Sequence, residues 1–495
     1  MMNVLSSNAQ KAPPSLKALL SWGAIGAVLV ALLVASVSDM NRMGLIMLIT
    51  VPMLTLVVIN IEFGIYCLLA YSSVLAFIIR MMPPGNTGPL GIALDVLLLL
   101  MAGRLLFDLV RKRDWKIFAT PMTVPILAFV AFQCVEVFNP AAPSIVFGLW
   151  GLRVTIRILG FFLILYYFRD RAPIRRLTNF WLGLMVLMGC YGIFQHHHGL
   201  LWQEMNWLLT EGNAQTHILK GYVRVFSTVG DASTFGFLMV FASLMMFALA
   251  LASRGMNQVL LLVATLPLLY GMTASYSRGP VVALAFGAMV MVIVSRNWKL
   301  AVGLGLVGFA GIVLLTASGN TKLTDRLSTA TNPTEDASFN VRMGYITQYL
   351  PEIAKRPFGY GINSSGNSGL RASGGEKVRG GVAGVPTDNY YFKMALEMGW
   401  VGLIFFLWLN IAALWYTYRV YMKTTDPYYK ALALGILAVL AATAAGSFSN
   451  DINSQKPIAE YFWIMLGLAM LIGQHQPRPQ ALPRQMLMLP PGRAS

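Results

Sequence analysis

The side chains best suited to chemistry in this sequence stand directly before apolar stretches or in the short turn between two of them. They are Arg224, Asp231, Arg278, Asp388, Asn389 and Tyr390. A guanidinium group is planar and can bind phosphate oxygens through two parallel N–H groups. A carboxylate beside such a ligand can accept a proton from an attacking hydroxyl group. These residues therefore indicate a phosphate-binding site with acid–base capacity at the boundary of an apolar layer.

A further pair of arginines lies inside an apolar stretch. Arg153 and Arg157 are four residues apart, which places them on one face of a helix. A charge in hydrocarbon costs at least ~2.5–3.5 kcal/mol, so such arginines usually face a cavity or a partner. Two of them on one face need an anion, and we expect Asp231, Asp388 or a ligand to supply it. Both arginines are therefore predicted to bind substrate.

Long apolar helices must position these residues. Of the 495 residues, 57% are hydrophobic and only 12% are charged, whereas a soluble protein needs about a quarter of its surface residues charged. Apolar stretches of ~17–25 residues, each able to cross ~30 Å of hydrocarbon, recur along the chain. We predict an all-α polytopic membrane protein with about 14 transmembrane helices (12–14). They fall at about 16–37, 44–60, 63–80, 90–110, 121–138, 147–168, 177–194, 232–253, 258–275, 280–295, 299–317, 389–418, 430–448 and 457–474.

The positive charge of the chain indicates its orientation. A net charge of +17 is typical of nucleic-acid binding in a soluble protein, but in a membrane protein it indicates Lys and Arg retained on the cytoplasmic side. The basic loops 111–116 and 169–176 fall on one side of the predicted spans, together with the milder loops 253–257, 295–299 and 418–423. We therefore expect no nucleic acid as a partner and place both termini in the cytoplasm.

This orientation predicts five regions. They are a cytoplasmic N-terminus at 1–15, transmembrane helices over 16–317 with a periplasmic loop at 195–231, a large periplasmic loop at 318–388, transmembrane helices over 389–474, and a disordered cytoplasmic tail at 475–495. Within the large loop, residues 340–357 are typical of a short surface helix stopped by proline. The Gly- and Ser-rich residues 359–384 are expected to be mobile without a ligand. Loops of this length in compact proteins are usually functional or disordered.

Metal binding is not expected. Three adjacent histidines occur at 196–198, but neighbouring histidines on a helix cannot all face one ion, and no second ligand cluster accompanies them. The three cysteines lie in apolar stretches and form neither a metal-ligand spacing nor an even set for disulfides. We predict no metal and no cofactor.

Five short motifs now fall into an order. They are Ser277–Arg278–Gly279, Arg342 in an outer loop, Pro357–Gly359–Gly361, Asp388–Asn389, and Glu397–Gly399 at the head of the helix that follows. Residues from about 200 to 420 resemble the bacterial O-antigen ligase and Wzy-type polysaccharide polymerase superfamily in the order of these motifs, in their spacing and in the side of the membrane on which they lie. The first two hundred residues match only as apolar helices.

The resemblance implies a GT-C-like, metal-independent glycosyltransferase in the bacterial inner membrane, working at the periplasmic face. Its donor would be an undecaprenyl-pyrophosphate-linked oligosaccharide, and its acceptor a lipid-linked glycan or another lipid or protein. Membrane lipids and a chain-length regulator are further expected partners. Ligases of this family commonly carry histidine where this chain has Asp388. That departure favours a polymerase of a surface polysaccharide, with a ligase as the alternative.

The residues suggest specific roles. Arg224 and Arg278 would hold the pyrophosphate and stabilise the charge that develops on the leaving phosphate. Asp388 would accept or orient the proton of the acceptor hydroxyl group, in a displacement that inverts the anomeric centre. Asp231 is expected to cap a helix as well as to contact substrate. The residues that we expect to contact substrate are Arg153, Arg157, Arg342, Asn389, Tyr390 and Asp231.

A transporter or flippase of the lipid-linked glycan is the main rival. Transporters place ionisable residues near the bilayer midplane and often show related halves, whereas the charged residues here gather at the outer boundary. A structural membrane component needs no arginines on four segments.

Overall fold

The structure, a computed structural model, describes residues 57, 59–82, 88–210, 214–219, 221–297, 337–366, 369–370 and 381–474. Its α-helices are α1 Ile61–Met81, α2 Gly88–Lys112, α3 Thr123–Glu136, α4 Ile145–Thr155, α5 Leu159–Tyr167, α6 Arg171–His198, α7 Trp202–Thr210, α8 Ala214–His217, α9 Ala232–Ala252, α10 Met256–Ala274, α11 Arg278–Ser295, α12 Ala337–Lys355, α13 Tyr390–Lys423, α14 Pro427–Gly446 and α15 Ile458–Gln474. Short 3₁₀ turns occur at Trp115–Phe118, Ile156–Ile158 and Ile452–Ser454.

The prediction of a polytopic helical membrane protein is confirmed. Within the described ranges, nine helices are long and apolar enough to cross a membrane, counting α4, the 3₁₀ turn and α5 as one, and α3 and α15 are shorter apolar helices. These eleven elements correspond to eleven of the predicted spans. The predicted spans at 16–37 and 299–317 lie outside the described residues, as do the predicted terminal regions 1–15 and 475–495, and of the predicted span 44–60 only residues 57, 59 and 60 are described.

Two helices form the centre of the bundle. In α9, 89% of the residues in its apolar stretch are buried inside the protein, and in α14 78% are buried. In α10 and α11 the buried share is only 22%. The central helices are apolar on all sides, whereas the outer helices turn exposed apolar side chains such as Val263 and Ile293 to the surroundings. A helix that is apolar all round is stable only when buried in protein or lipid.

The connections of the bundle gather at two ends. At one end, the connection 137–144 meets the segment after α12 through the Asn139 side chain, which donates to the Phe358 carbonyl at 2.7 Å. There too, Tyr390 N–H donates to the Ser447 carbonyl at 2.8 Å. We call this end the site end. At the opposite end, Arg169 pairs with Asp114 at 2.6 Å, so two of the basic loops lie together as predicted.

The connection between α6 and α9 is folded rather than irregular. Helix α6 runs on to His198, a few residues past the predicted start of this loop at 195. The segment contains α7, α8 and a two-stranded antiparallel hairpin of β1 Ile218–Leu219 and β2 Tyr222–Val223, a small exception to the all-α prediction. Buried Arg80 holds it to α1, since its guanidinium pairs with buried Glu204 at 3.5 Å and donates to the Val229 carbonyl at 2.6 Å.

Candidate active site

Arg224 lies in a shell of carbonyl and hydroxyl oxygens. Its guanidinium donates to the carbonyl oxygens of Ser275 and Thr216, each at 3.1 Å, and to the Ser233 hydroxyl at 3.3 Å. It also contacts the hydroxyl group of Ser277. Residue 224 belongs to the chain entering α9, and Ser277 belongs to the turn before α11. The structure therefore brings together two segments that the sequence separates by about fifty residues.

Arg278 is the first residue of α11, directly after Ser277. Its half-buried side chain lies at the N-terminus of a helix, where free N–H groups and the helix dipole favour an anion. Tyr276, two residues earlier, adopts a left-handed backbone conformation with φ of 48°. This sharp turn allows α10 to end and α11 to begin within three residues. The Ser277–Arg278–Gly279 motif is thus the turn that places Arg278 beside the Arg224 shell.

Asp231 caps α9, as the sequence predicts. Its carboxylate accepts the Thr234 N–H at 2.9 Å and the Thr234 hydroxyl at 3.2 Å. A side-chain oxygen at this position satisfies one of the free N–H groups at a helix start. This geometry gives Asp231 a structural role, and its predicted substrate contact remains a prediction.

Asp388 lies opposite Arg342. The Arg342 Nε donates to the Asp388 carboxylate at 3.2 Å, and the two side chains are 36% and 54% exposed. Arg342 lies on the inward face of α12, in register with half-buried Tyr345 and Tyr349 and with buried Ile353. This i, i+3, i+7, i+11 spacing is one stripe of a helix. Packing of the stripe against α13 therefore sets Arg342 over Asp388.

Asn389 and Tyr390 form the start of α13. The Asn389 side chain caps the helix, accepting the N–H groups of Tyr391 at 2.9 Å and Phe392 at 3.1 Å. Tyr390 is 5% exposed and its ring packs on Phe406. Both residues adjoin Asp388, but their side chains are used by the fold, so their predicted sugar contacts stay predictions.

The glycine motifs lock the segment after α12 onto α13. Gly361 N–H donates to the Glu397 carbonyl at 2.8 Å, and the buried Glu397 carboxylate accepts the N–H groups of Asn363 at 3.0 Å and Ser365 at 3.2 Å. Gly399 has φ of 67° and kinks α13, which lets Val401 N–H reach the Pro357 carbonyl at 3.3 Å. These hydrogen bonds hold part of 359–366 against α13, and the mobility predicted for 359–384 stays a prediction. Residues 367–368 and 371–380 lie outside the described ranges.

Arg153 and Arg157 face different anions from those expected. Arg153 donates from Nε to Asp95 at 2.7 Å, and buried Arg157 pairs through Nε with buried Glu460 at 2.9 Å. The sequence interpretation named Asp231, Asp388 or a ligand for this role. The two carboxylates are wrong, because Asp231 caps α9 and Asp388 pairs with Arg342. Substrate contact of Arg153 and Arg157 stays a prediction. Carboxylates inside two apolar stretches, Asp95 in one and Glu460 in the other, were the signal for these partners.

A third cation, Lys456, lies with Arg153, Arg157, Asp95 and Glu460, and we call these five residues the second cluster. Lys456 Nζ donates to the Gly91 carbonyl at 3.0 Å and lies 3.7 Å from Asp95. Burial lowers the pKa of the Lys456 ammonium group, and the nearby positive charge of Arg157 adds to the effect. The cluster combines three cations with two carboxylates.

The histidines at 196–198 lie on the last turn of α6 among aromatic rings. His197 Nε2 is 2.9 Å from the Tyr270 hydroxyl, and His198 stacks on Phe194. Across the ranges that the structure describes, no three His, Cys, Asp or Glu side chains are grouped so as to hold a metal ion. These rings serve packing between α6 and α10.

Sequence comparison finds a known family domain over part of the site. Residues 262–407 match the family model described as O-antigen ligase (Wzy_C), so this part of the chain carries an O-antigen ligase family domain, and the resemblance noted from the motifs is confirmed. The matched range includes Arg278, Arg342 and Asp388.

A curated relative is an O-antigen polymerase from Salmonella muenchen. It is 24% identical over 260 residues, which is 50% of this chain and 61% of the relative. The match therefore spans less than two thirds of the relative's length. Both comparisons support a polysaccharide polymerase or ligase type of role.

Proposed function

We propose that this protein is an inverting, metal-independent membrane glycosyltransferase that polymerises the repeat units of a surface polysaccharide. Its donor is an undecaprenyl-pyrophosphate-linked oligosaccharide, and its acceptor is a second lipid-linked repeat unit. One observation carries the proposal: the O-antigen ligase domain contributes Arg278, Arg342 and Asp388 to the same end of the bundle at which Arg224 approaches Ser277.

The chemistry follows from the residues. The bond between the sugar and the phosphate oxygen breaks, and its electron pair stays with the pyrophosphate. Arg224 and Arg278 stabilise that developing charge, because preorganised donors act most strongly where charge appears in the transition state. The acceptor hydroxyl oxygen forms the new bond to the anomeric carbon, and Asp388 takes its proton. Arg342 positions the Asp388 carboxylate, and Asn389 and Tyr390 border the sugar.

The setting of the reaction belongs to the same proposal. The GT-C-like bundle lies in the bacterial inner membrane with the site end toward the periplasm. The orientation is supported by the basic loops at the opposite end, where Arg169 and Asp114 meet. The connections 199–231 and 318–388 then lie outside the membrane, where a flipped lipid-linked glycan and a chain-length regulator are accessible.

The alternative is transfer of the glycan to another lipid or a protein, as in a ligase. The family description favours a ligase, whereas the relative's name and the carboxylate at position 388 favour a polymerase. The two differ in product: a polymerase makes a ladder of lipid-linked chains from one substrate, while a ligase needs a second acceptor.

The test uses Arg278→Gln and Arg224→Gln in purified protein in detergent. The substrate is the undecaprenyl-pyrophosphate-linked oligosaccharide extracted from a strain that lacks this protein. We expect release of undecaprenyl pyrophosphate to slow by about 10²–10³-fold in each variant. Arg254→Gln, at the opposite end of the bundle, is the matched control and should retain the wild-type rate. Wild-type rates in both site variants would refute the assignment of the two arginines.

A further inference from the structure

The connection between α14 and α15, residues 447–457, contacts the segments around both clusters. At its start, the Ser447 carbonyl accepts Tyr390 N–H at 2.8 Å, and Ser449 packs directly on Gly279 beside Arg278. At its end, the Ser454 carbonyl accepts from Arg157 at 3.1 Å. Gln455 contacts the hydroxyl of Thr234, next to the Arg224 shell. One short connection thus touches four of the segments that the mechanism must hold in place.

A single ion pair fixes α13 to the middle of this connection. Lys393 Nζ lies 2.6 Å from the Asp451 carboxylate and 3.3 Å from the Ser454 hydroxyl. The Lys393 and Asp451 side chains are only 11% and 21% exposed. Lys393 N–H in turn donates to the Asn389 carbonyl at 2.9 Å, within the first turn of α13. The first turn is therefore held at Tyr390 by the backbone and at Lys393 by charge.

The start of α13 is held to this region by neutral contacts and by one charged contact. The neutral contacts are the Tyr390–Ser447 hydrogen bond, the Tyr391 hydroxyl that donates to the Ala444 carbonyl at 3.0 Å, and the packing of the Tyr391 ring on Phe448. The Lys393–Asp451 pair adds the charged contact, and a charge-assisted hydrogen bond is short and directional. The pair also lies on the connection that packs on Gly279, so the same element locates Asp388 and Arg278 relative to each other.

We infer that Lys393 and Asp451 are a positioning pair, which sets the Asp388 carboxylate relative to the pyrophosphate-binding arginines without contacting substrate. This inference rests on the proposed transferase function. A reacting geometry is sensitive to small displacements, and a misplacement of about 1 Å can cost ~10²-fold in rate. The pyrophosphate itself is held by Arg224 and Arg278, so binding of the donor should not depend on the pair.

The test separates turnover from binding in the extracted-oligosaccharide assay. Lys393→Met should lower kcat per folded molecule by about 10²-fold while the donor KM stays within about twofold of wild type. Lys393→Arg keeps the charge and should restore most of the rate. Arg169→Met breaks the Arg169–Asp114 pair, which has the same 2.6 Å separation at the opposite end, and should leave kcat unchanged.

A second variant guards against misfolding. Lys393→Met leaves Asp451 without its cation and also takes a positive charge away from buried Glu397. Asp451→Leu is therefore the second variant, because it breaks the ion pair and keeps the Lys393 charge that acts on Glu397. It should show the same fall in kcat. Wild-type kcat in folded Asp451→Leu overturns the inference while leaving the transferase proposal intact. Absence of transfer by the wild-type protein refutes the proposed function itself.

Discussion

Two arginine clusters lie at the site end of the bundle, the first around Arg224 and the second around Arg153 and Arg157. They differ in the oxygens that the arginines contact. In the first, Arg224 donates to the carbonyl of Ser275 and to the hydroxyls of Ser233 and Ser277. In the second, Arg153 and Arg157 pair with carboxylates, one from α2 and one from α15. Arg224 thus donates to several neutral oxygens, whereas Arg153 and Arg157 each pair with a carboxylate.

Under the proposed function, the difference predicts a binding role for Arg224 and a structural role for Arg153 and Arg157. Neutral oxygens orient a guanidinium group without cancelling its charge, whereas a buried carboxylate does both at close range. A buried ion pair also makes each partner depend on the other, because losing one leaves an uncompensated charge in the interior. We therefore expect substitutions in the second cluster to affect stability first and substitutions in the first cluster to affect turnover first.

The largest effect on stability should follow from Arg157→Gln. The substitution leaves buried Glu460 without its cation, and breaking a buried pair in this way costs about 3–5 kcal/mol. Arg157 and Glu460 side chains are 5% and 1% exposed, so solvent screening is small. The free energy of unfolding in detergent, or the yield of folded protein, measures the loss.

The control for this prediction removes both charges together. Arg157→Leu/Glu460→Leu replaces the pair by apolar side chains and should recover most of the lost stability. Equal stability of Arg157→Gln and the wild type would show that the pair is not structural, and the comparison between the two clusters would then lose its basis.

The helices of the bundle could be predicted because apolar length is a local property of the sequence. Eleven predicted spans have counterparts in the described residues, and the stripe that carries Arg342 follows helical spacing. The juxtaposition of Arg224 with the turn before α11 was proposed from motif order and a shared side of the membrane. Such reasoning limits the choice of segments but does not supply contacts.

The ion pairing could not be predicted in the same way. Asp95 and Glu460 are distant in sequence from Arg153 and Arg157, and only packing of α2, α4, α5 and α15 brings them together. Nothing in the sequence marks residues 447–457 as special, because a polar connection between apolar helices is usual. Its role becomes visible only through contacts such as Lys393–Asp451.

A smaller effect is expected at Asp231, which stands beside the first cluster but serves as a helix cap. Asp231→Ala should reduce stability by about 1 kcal/mol, whereas Asp231→Asn should retain the cap and the wild-type stability. Because the proposed mechanism assigns no step to the Asp231 charge, Asp231→Asn should also keep the rate of undecaprenyl pyrophosphate release. A strongly reduced rate in this variant with unchanged unfolding would move Asp231 from the scaffold into the binding site.

The smallest effect on stability is expected for Arg342→Gln, although the Arg342–Asp388 pair joins an arginine to a carboxylate just as the pairs of the second cluster do. The Arg342 and Asp388 side chains are 36% and 54% exposed, so water and salt screen their attraction. Exposed ion pairs contribute about 0–1 kcal/mol, and the unfolding midpoint should move little. The rate should fall more than the stability, because Asp388 loses the group that orients it. A midpoint shift as large as that of Arg157→Gln, with turnover per folded molecule unchanged, would assign Arg342 to the scaffold and leave Asp388 without a positioning partner on α12.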